Sequence, residues 1–112
     1  MKHYLVASLG EHRGSPRLWL QGANLAHAGF KPGVRFDVVI EAGSLKMVLS
    51  ASGERIVSRK RRGETEQPVI DINNRDVLDA FIGHAAVRVV IIDTGIHVLP
   101  LASEKRRQDR LH

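Results

Sequence analysis

The chain has 112 residues, of which 43% are hydrophobic and 26% charged, as is usual for one soluble globular domain. It contains no cysteine, which excludes disulfide bonds, thiolate zinc sites and cysteine nucleophiles and fits a reducing compartment. The net charge is +5, and the longest apolar stretch, Val87–Ile92, is interrupted by Arg88 and too short to span a bilayer. We therefore expect a cytoplasmic protein without a membrane segment, whose basic surface favours a polyanionic partner.

The first half of the chain is predicted to consist of short strands separated by turns. Alternating or β-branched residues indicate strands at His3–Leu9, Arg17–Leu20, Arg35–Ile40, Leu45–Leu49 and Ile56-Val57. The turn formers of Gly10–Pro16 predict a loop, Leu25–Ala28 one helical turn ended by Gly29, Lys31–Val34 a type II turn, and Glu41–Ser44 a hairpin turn. Residues 54–67 are expected to be a basic linker.

The second half is predicted to follow the same course. The expected elements are a strand at Val69–Ile72, a helix from Arg75 to Ile82 ended by Gly83, and a hairpin of Val87–Ile92 and Ile96–Leu99 across Asp93-Thr94-Gly95. Residues 103–112 form a basic tail, which is predicted to be helical with Ser103 as its N-cap.

The two halves resemble each other. Leu18–Gly43 aligns with Ile70–Gly95 at a constant offset of 52 residues without a gap, which places Gly43 over Gly95. What recurs is a unit of a short strand, a turn-and-helix segment and an apolar hairpin. Since internal repeats determine architecture, we expect two copies, residues 17–50 and 69–101.

A family resemblance covers residues 17–50. It is carried by Arg17–Gly22 (RLWLQG), Leu25–Phe30 (LAHAGF), Pro32-Gly33, the Val38–Ile40 strand and Gly43. This pattern resembles the SymE-type toxins, a part of the AbrB-like group of swapped-hairpin folds, although Ala26 and His27 stand where that family usually has acidic residues. The resemblance implies a mainly β fold with short helices, in which two tandem repeats in one chain form a swapped-hairpin barrel as a pseudo-dimer. We expect one domain, residues 1–102, and a monomer with pseudo-two-fold symmetry.

A second resemblance covers the whole chain. Lys2–Pro16 and Val87–Ala102 are similar to the opening and the close of the N-terminal region of some bacterial or phage-like DNA cytosine methyltransferases. This implies a C-terminal methyltransferase domain as a partner, to which the basic tail leads.

The chain itself offers little for catalysis. It has no cysteine for cytosine methylation, no glycine-rich loop for S-adenosylmethionine and no Walker loop, so we expect no enzyme activity, no catalytic residues and no cofactor. The six histidines lack paired ligand spacing, so no metal site is expected, and His27 is predicted to cap its turn. Asp71, Asp76 and Asp79 are predicted at a strand end, in the first turn of a helix and on a helix surface.

Binding is the favoured function. The predicted contacts to DNA or RNA are the clustered cations Arg13, Arg17, Arg35, Lys46, Arg55, Arg59, Lys60, Arg61 and Arg62. Trp19 is expected to lie in the core rather than to stack on a base. The leading hypothesis is a DNA-binding accessory domain that prefers duplex DNA and acts through phosphate contacts. The alternatives are a toxin-like endoribonuclease, which the resemblance implies, and a protein-interaction scaffold.

Overall fold

The structure is a computed structural model that describes residues 2–74 and 77–101, and in these ranges the chain is mainly β, as the sequence predicts. The strands are β1 (His3–Ser8), β2 (Gly10–His12), β3 (Ser15–Gln21), β4 (Arg35–Glu41), β5 (Ser44–Leu49), β6 (Arg55–Ile56), β7 (Ser58–Arg62), β8 (Thr65–Ile72), β9 (Ala86–Ile92) and β10 (Gly95–Pro100). A short helix, α1 (Ala23–His27), follows β3, and a 3-10 helix (Asp79–Phe81) lies between β8 and β9.

The larger sheet has six antiparallel strands in the order β1-β9-β10-β5-β4-β6. It contains two hairpins, β4–β5 and β9–β10, whose second strands pair with each other so that Lys46 lies opposite His97. β1 extends one side by pairing with β9, with Leu5 opposite Val89. The strands are rich in Val, Ile and Leu because branched side chains pack well on a pleated surface.

The smaller sheet has four antiparallel strands in the order β2-β3-β8-β7. In its centre Leu18 pairs with Ile72 and Leu20 with Ile70, and all four side chains are buried. Because successive residues of a strand point to opposite faces, Trp19 and Asp71, which also pair, lie on the other face. The register of these two strands therefore separates a core face from an outer face.

Within the described ranges, one cluster of buried side chains draws on both sheets. Leu18 and Ile72 of the smaller sheet and Met47 and Val98 of the larger one are fully buried within it. The segment between α1 and β4 contributes Phe30, whose ring meets that of Phe36 edge-on at a centroid distance of 5.9 Å. Burial of this apolar surface is the main stabilising contribution, at about 25 cal/mol per Å².

Among the described residues neither sheet closes on itself, so the closed form of the predicted barrel is not seen. The chain connects the edge strands of the two sheets on both sides. On one side β1 continues into β2 after Leu9, and on the other β6 continues into β7 after Val57. Val57 is buried, its N–H donates to the carbonyl of Val34, and its carbonyl accepts from the N–H of Gly33 at 2.8 Å. Backbone hydrogen bonds therefore hold the corner between β6 and β7.

The constant offset predicted for the repeat is wrong in the hairpins. The first turn is Ala42-Gly43 and the second is Asp93-Thr94, so Gly43, with φ of 75°, corresponds to Thr94, with φ of 65°, and not to Gly95. The hairpins correspond at an offset of 51 residues, whereas the matched burial of Leu18 and Leu20 with Ile70 and Ile72 keeps 52 in β3 and β8. The spacing between equivalent buried residues is therefore one residue shorter in the second half, from Ile72 to Val87, than in the first, from Leu20 to Phe36.

Three further predictions differ from the structure. The basic linker contains an ordered strand, β7, and the Gly10–Pro16 loop is β2 with the turn Arg13-Gly14 into β3. The predicted helix from Arg75 to Ile82 is not found in residues 77–82, where the structure has only the 3-10 helix Asp79–Phe81. Residues 75 and 76 and the tail from residue 102 onwards lie outside the described residues. The turn at Gly33 is confirmed, with φ of 88° and a Val34 N–H bond to Lys31 O of 3.0 Å.

Candidate nucleic-acid interface

Four consecutive cations lie on β7, an edge strand of the smaller sheet. The strand Ser58–Arg62 has no buried residue and pairs along its whole length with β8. A two-residue turn, Gly63-Glu64, joins the two strands, and the hydroxyl of Thr65 donates to the carbonyl of Arg62 at 2.9 Å. Since nothing apolar is buried here, main-chain hydrogen bonds to β8 place these cations.

The four cations divide between the two faces of the sheet. Lys60 pairs with Gln67 and Arg62 with Thr65, positions that alternation places on the same face as Asp71. Arg59 and Arg61 belong to the opposite face. Arg59 forms an ion pair with Glu66 (Nη1–Oε2 3.4 Å), whereas no described carboxylate lies within salt-bridge distance of Lys60, Arg61 or Arg62.

The outer face of the smaller sheet carries Trp19, and we call it the Trp19 face. Alternation and register place a set of polar and charged side chains on the same face as the indole: Arg17 and Gln21 from β3, Gln67 and Asp71 from β8, and Ser58, Lys60 and Arg62 from β7. Trp19 is 40% exposed, so the prediction of a core tryptophan is wrong. The flanking leucines are a sequence signal for this, because in a strand Leu18 and Leu20 face away from Trp19.

Two neighbours contact the Trp19 ring, and a third residue fixes one of them. Arg17 lies over it, with Cζ 5.1 Å from the ring centroid, and Gln21 accepts a hydrogen bond from the indole Nε1 at 2.8 Å. Arg17 is fixed in turn by Asp71, through Nε–Oδ1 and Nη2–Oδ2 bonds of 2.9 and 2.8 Å. The hydrogen bond to Asp71 raises the pKa of Arg17, desolvation opposes this, and Coulomb attraction to Asp71 adds to it. Asp71, the last but one residue of β8, is therefore a positioning group near the strand end where it is predicted.

The structure does not bring the remaining predicted cations into one surface. Arg13 is exposed in the β2–β3 turn, with φ of 53°, at the side of the smaller sheet away from β7. Lys46 lies in the middle of the larger sheet, paired with Val39 and His97. The basic residues expected to act together are therefore spread over both sheets.

Two arginines lie nearer to β7. Arg35 begins β4 and donates from Nη1 to the carbonyl of Gly53 at 3.0 Å, and Arg55 is half-buried in β6 opposite Phe36. The guanidinium of Arg59 approaches the turn before β4, 3.7 Å from where a Cβ on Gly33 would stand. Arg35, Arg55 and Arg59 thus surround the corner between the two sheets.

A pocket that sequence reasoning missed lies beside α1. It is lined by His3, Asn24, His27 and Asp93 together with the apolar Ala28 and Ile91. The Asn24 Nδ2 and His3 Nε2 atoms are 2.7 Å apart. No sequence motif joins these residues, because they come from β1, α1 and the β9–β10 turn. His27 is exposed, and Ala28 takes the C-cap position of α1.

Residues 2–74 and 77–101 provide neither a metal cluster nor a membrane helix. No group of three or more His, Asp or Glu side chains suited to a metal ion occurs there. Within the same ranges, no helix has the length and apolar character needed to cross a membrane.

Comparison with known proteins gives no relationship on which a function can rest: no family model, no curated protein and no solved structure matches the chain.

Proposed function

We propose that this protein is a nucleic-acid-binding domain that acts through phosphate contacts made by β7. The observation that carries the proposal is the exposed strand Ser58–Arg62, in which Lys60, Arg61 and Arg62 have no described acidic partner within salt-bridge distance. Neutralising phosphates with such side chains releases condensed counterions, and this supplies most of non-specific nucleic-acid affinity. The ordered strand favours this role because its backbone is already fixed before binding.

Basic residues on an edge strand have a second effect. Lys and Arg at an edge keep other chains from pairing with its free N–H and C=O groups. This protective role and phosphate binding are compatible, and only the second predicts affinity for a polyanion. The proposal covers nucleic acid as a class, because phosphate contacts alone carry little information about sequence.

A salt titration tests the proposal. We expect fluorescence anisotropy of a labelled oligonucleotide to show binding at low salt, with log affinity falling by about 0.9 per phosphate contact per log unit of salt for duplex DNA and about 0.7 for single strands. The double variant Lys60→Ala/Arg62→Ala should bind more weakly and show a shallower slope.

The matched control is Lys2→Ala/Arg88→Ala, which removes the same charge from exposed positions outside the smaller sheet. Equal weakening by both double variants would show that net charge and not β7 drives binding. Absence of binding by the wild-type protein at low salt would refute the proposed function.

The swapped-hairpin arrangement of the two units and the family of the chain are also part of this proposal. The pairing of β5 with β10 and of β3 with β8 joins the two halves of the chain, which supports a swapped-hairpin, AbrB-like arrangement of two units and the resemblance to SymE-type proteins. We further propose a monomer that acts in the cytoplasm as the N-terminal module of a DNA cytosine methyltransferase. Light scattering tests the first point, and the reading frame beyond His112 tests the second.

A second candidate function, cleavage of RNA, is favoured by the pocket beside α1. Metal-independent cleavage needs a base that takes the proton of the 2′-hydroxyl and an acid that protonates the departing 5′-oxygen. His3 and His27 line one pocket and are able to take these roles, with Asn24 orienting His3. EDTA-resistant cleavage of labelled RNA that is lost in His3→Ala and His27→Ala, but kept in His84→Ala, supports it. Intact RNA after incubation with the wild-type protein rules it out.

A further inference from the structure

The Trp19 face combines an exposed aromatic ring with cations on one side of a sheet. Trp19 is 40% exposed although a tryptophan carries more apolar surface than almost any other side chain. Lys60 and Arg62 lie on the same face two strands away. Aromatic rings that stack on bases, beside cations that contact the backbone, are how sheets bind unpaired nucleic acid.

The ring is held in place before any ligand arrives. Arg17 lies over it, Asp71 fixes Arg17 through two hydrogen bonds, and Gln21 accepts from the indole N–H. A side chain already fixed loses little conformational entropy on binding. The fixed orientation therefore favours stacking of a base on the Trp19 ring. A local rearrangement that buried the ring would have to break these contacts.

A groove opens beside Trp19 on the side of β3 away from β8. It is lined by Trp19, Gln21 and Asn24 together with apolar side chains that include Leu5, Leu25 and Ile91, and has a volume of about 270 Å³. An apolar wall suits the face of a base, and the amides of Gln21 and Asn24 suit its donor and acceptor edge. The groove gives an unpaired base a place next to the ring.

The spacing suits a chain of a few nucleotides. Lys60 pairs with Gln67, four residues along β8 from Asp71, which faces Trp19. With strands about 4.8 Å apart and a rise of about 3.4 Å per residue, Lys60 lies about 10 Å across and about 14 Å along the sheet from Trp19. A strand with one base beside Trp19 can then place following phosphates near Lys60 and Arg62.

We propose that the Trp19 face binds single-stranded nucleic acid, with one unpaired base stacked on Trp19 and its backbone directed to Lys60 and Arg62. This inference rests on the proposed function and narrows its ligand, because bases within a duplex are stacked on each other and do not offer a free face to a side chain. It therefore replaces the expected preference for duplex DNA with a preference for unpaired strands.

Tryptophan fluorescence provides the test, because Trp19 is the only tryptophan of the chain. We expect short thymidine and uridine oligonucleotides to quench the emission of the wild-type protein, and a duplex of equal length to leave it unchanged at saturation. Comparing the two oligonucleotides shows whether the protein prefers a DNA or an RNA strand. The Lys60→Ala/Arg62→Ala variant should bind more weakly but reach the same quenching when saturated.

Two substitutions complete the test by anisotropy. Trp19→Ala should weaken single-strand binding about five- to a hundredfold and duplex binding hardly at all, and Trp19→Phe should restore part of the loss. Circular dichroism checks that both variants are folded.

The outcomes separate this inference from the proposed function. Oligonucleotide binding without quenching, with equal affinity for the wild type and Trp19→Ala, overturns the stacking site and leaves β7 as a phosphate-binding strand. Absence of any binding by the wild type overturns both.

Discussion

Arg17 and Asp71 form a bidentate ion pair across β3 and β8, with bonds of 2.9 and 2.8 Å between residues 54 positions apart in the chain. The pair connects the two halves of the protein on the outer face of the smaller sheet. It also positions the guanidinium over Trp19. A carboxylate from the second half of the chain thus determines how two residues of the first half are presented to solvent.

Asp71→Asn is expected to steepen the salt dependence of nucleic-acid binding. The substitution removes a negative charge from the Trp19 face and releases Arg17 to contact a phosphate. The salt dependence of binding should then steepen by about 0.7 for a single strand. Asp79→Asn, an equal charge change at an exposed position of the 3-10 helix, is the control and should leave the slope unchanged. Equal effects of the two variants would show that only net charge matters.

Gly53→Ala is expected to destabilise the fold. Gly53 is buried, and a Cβ there would stand 2.5 Å from the carbonyl oxygen of Phe36, which is backbone and has no room to move aside. Overpacking of this kind costs about 1–3 kcal/mol, measured as the free energy of unfolding in urea. Gly10→Ala, whose nearest new contact is at 3.8 Å, should change stability little. A neutral Gly53→Ala would contradict the close approach of Gly53 to β4.

Thr94→Gly is expected to stabilise the protein. Thr94 occupies the second turn position of β9–β10 with φ of 65°, where a β-branched residue is strained and glycine is not. Removing the strain should outweigh the greater freedom of glycine in the unfolded chain and raise stability by about 0.5–1 kcal/mol. Ala42→Gly, in the other turn but without positive φ, should not stabilise. A thermal unfolding series of the three proteins checks the order.

Phe81→Ala and Ile82→Ala should differ sharply although the residues are adjacent. Phe81 is fully buried, so its truncation leaves a cavity and should lower the free energy of unfolding by about 3–5 kcal/mol. Ile82 is 46% exposed, so its truncation should change stability by less than about 1 kcal/mol. Similar losses for both, measured by urea unfolding, would place the 3-10 helix differently from the structure.

Local pattern predicts the elements that depend on neighbouring residues. The alternation of Leu18 and Leu20 indicates β3, Pro32-Gly33 a turn and the runs of Val and Ile the two hairpins, because propensity and side-chain periodicity act over a few residues. The same pattern does not find β7, since Ser58–Arg62 has no apolar periodicity and is held by hydrogen bonds to β8.

Sequence pattern alone indicates a mainly β chain with two similar hairpins and a basic segment between them. The fold alone shows that β3 pairs with β8 and β5 with β10, and hence that Trp19 faces solvent beside Arg17 and Asp71. It also assembled His3, Asn24 and Asp93 around one pocket. Local pattern does not reveal these contacts, because strand pairing and register join residues far apart in the chain, and a single-residue change of register reverses which side chains are buried.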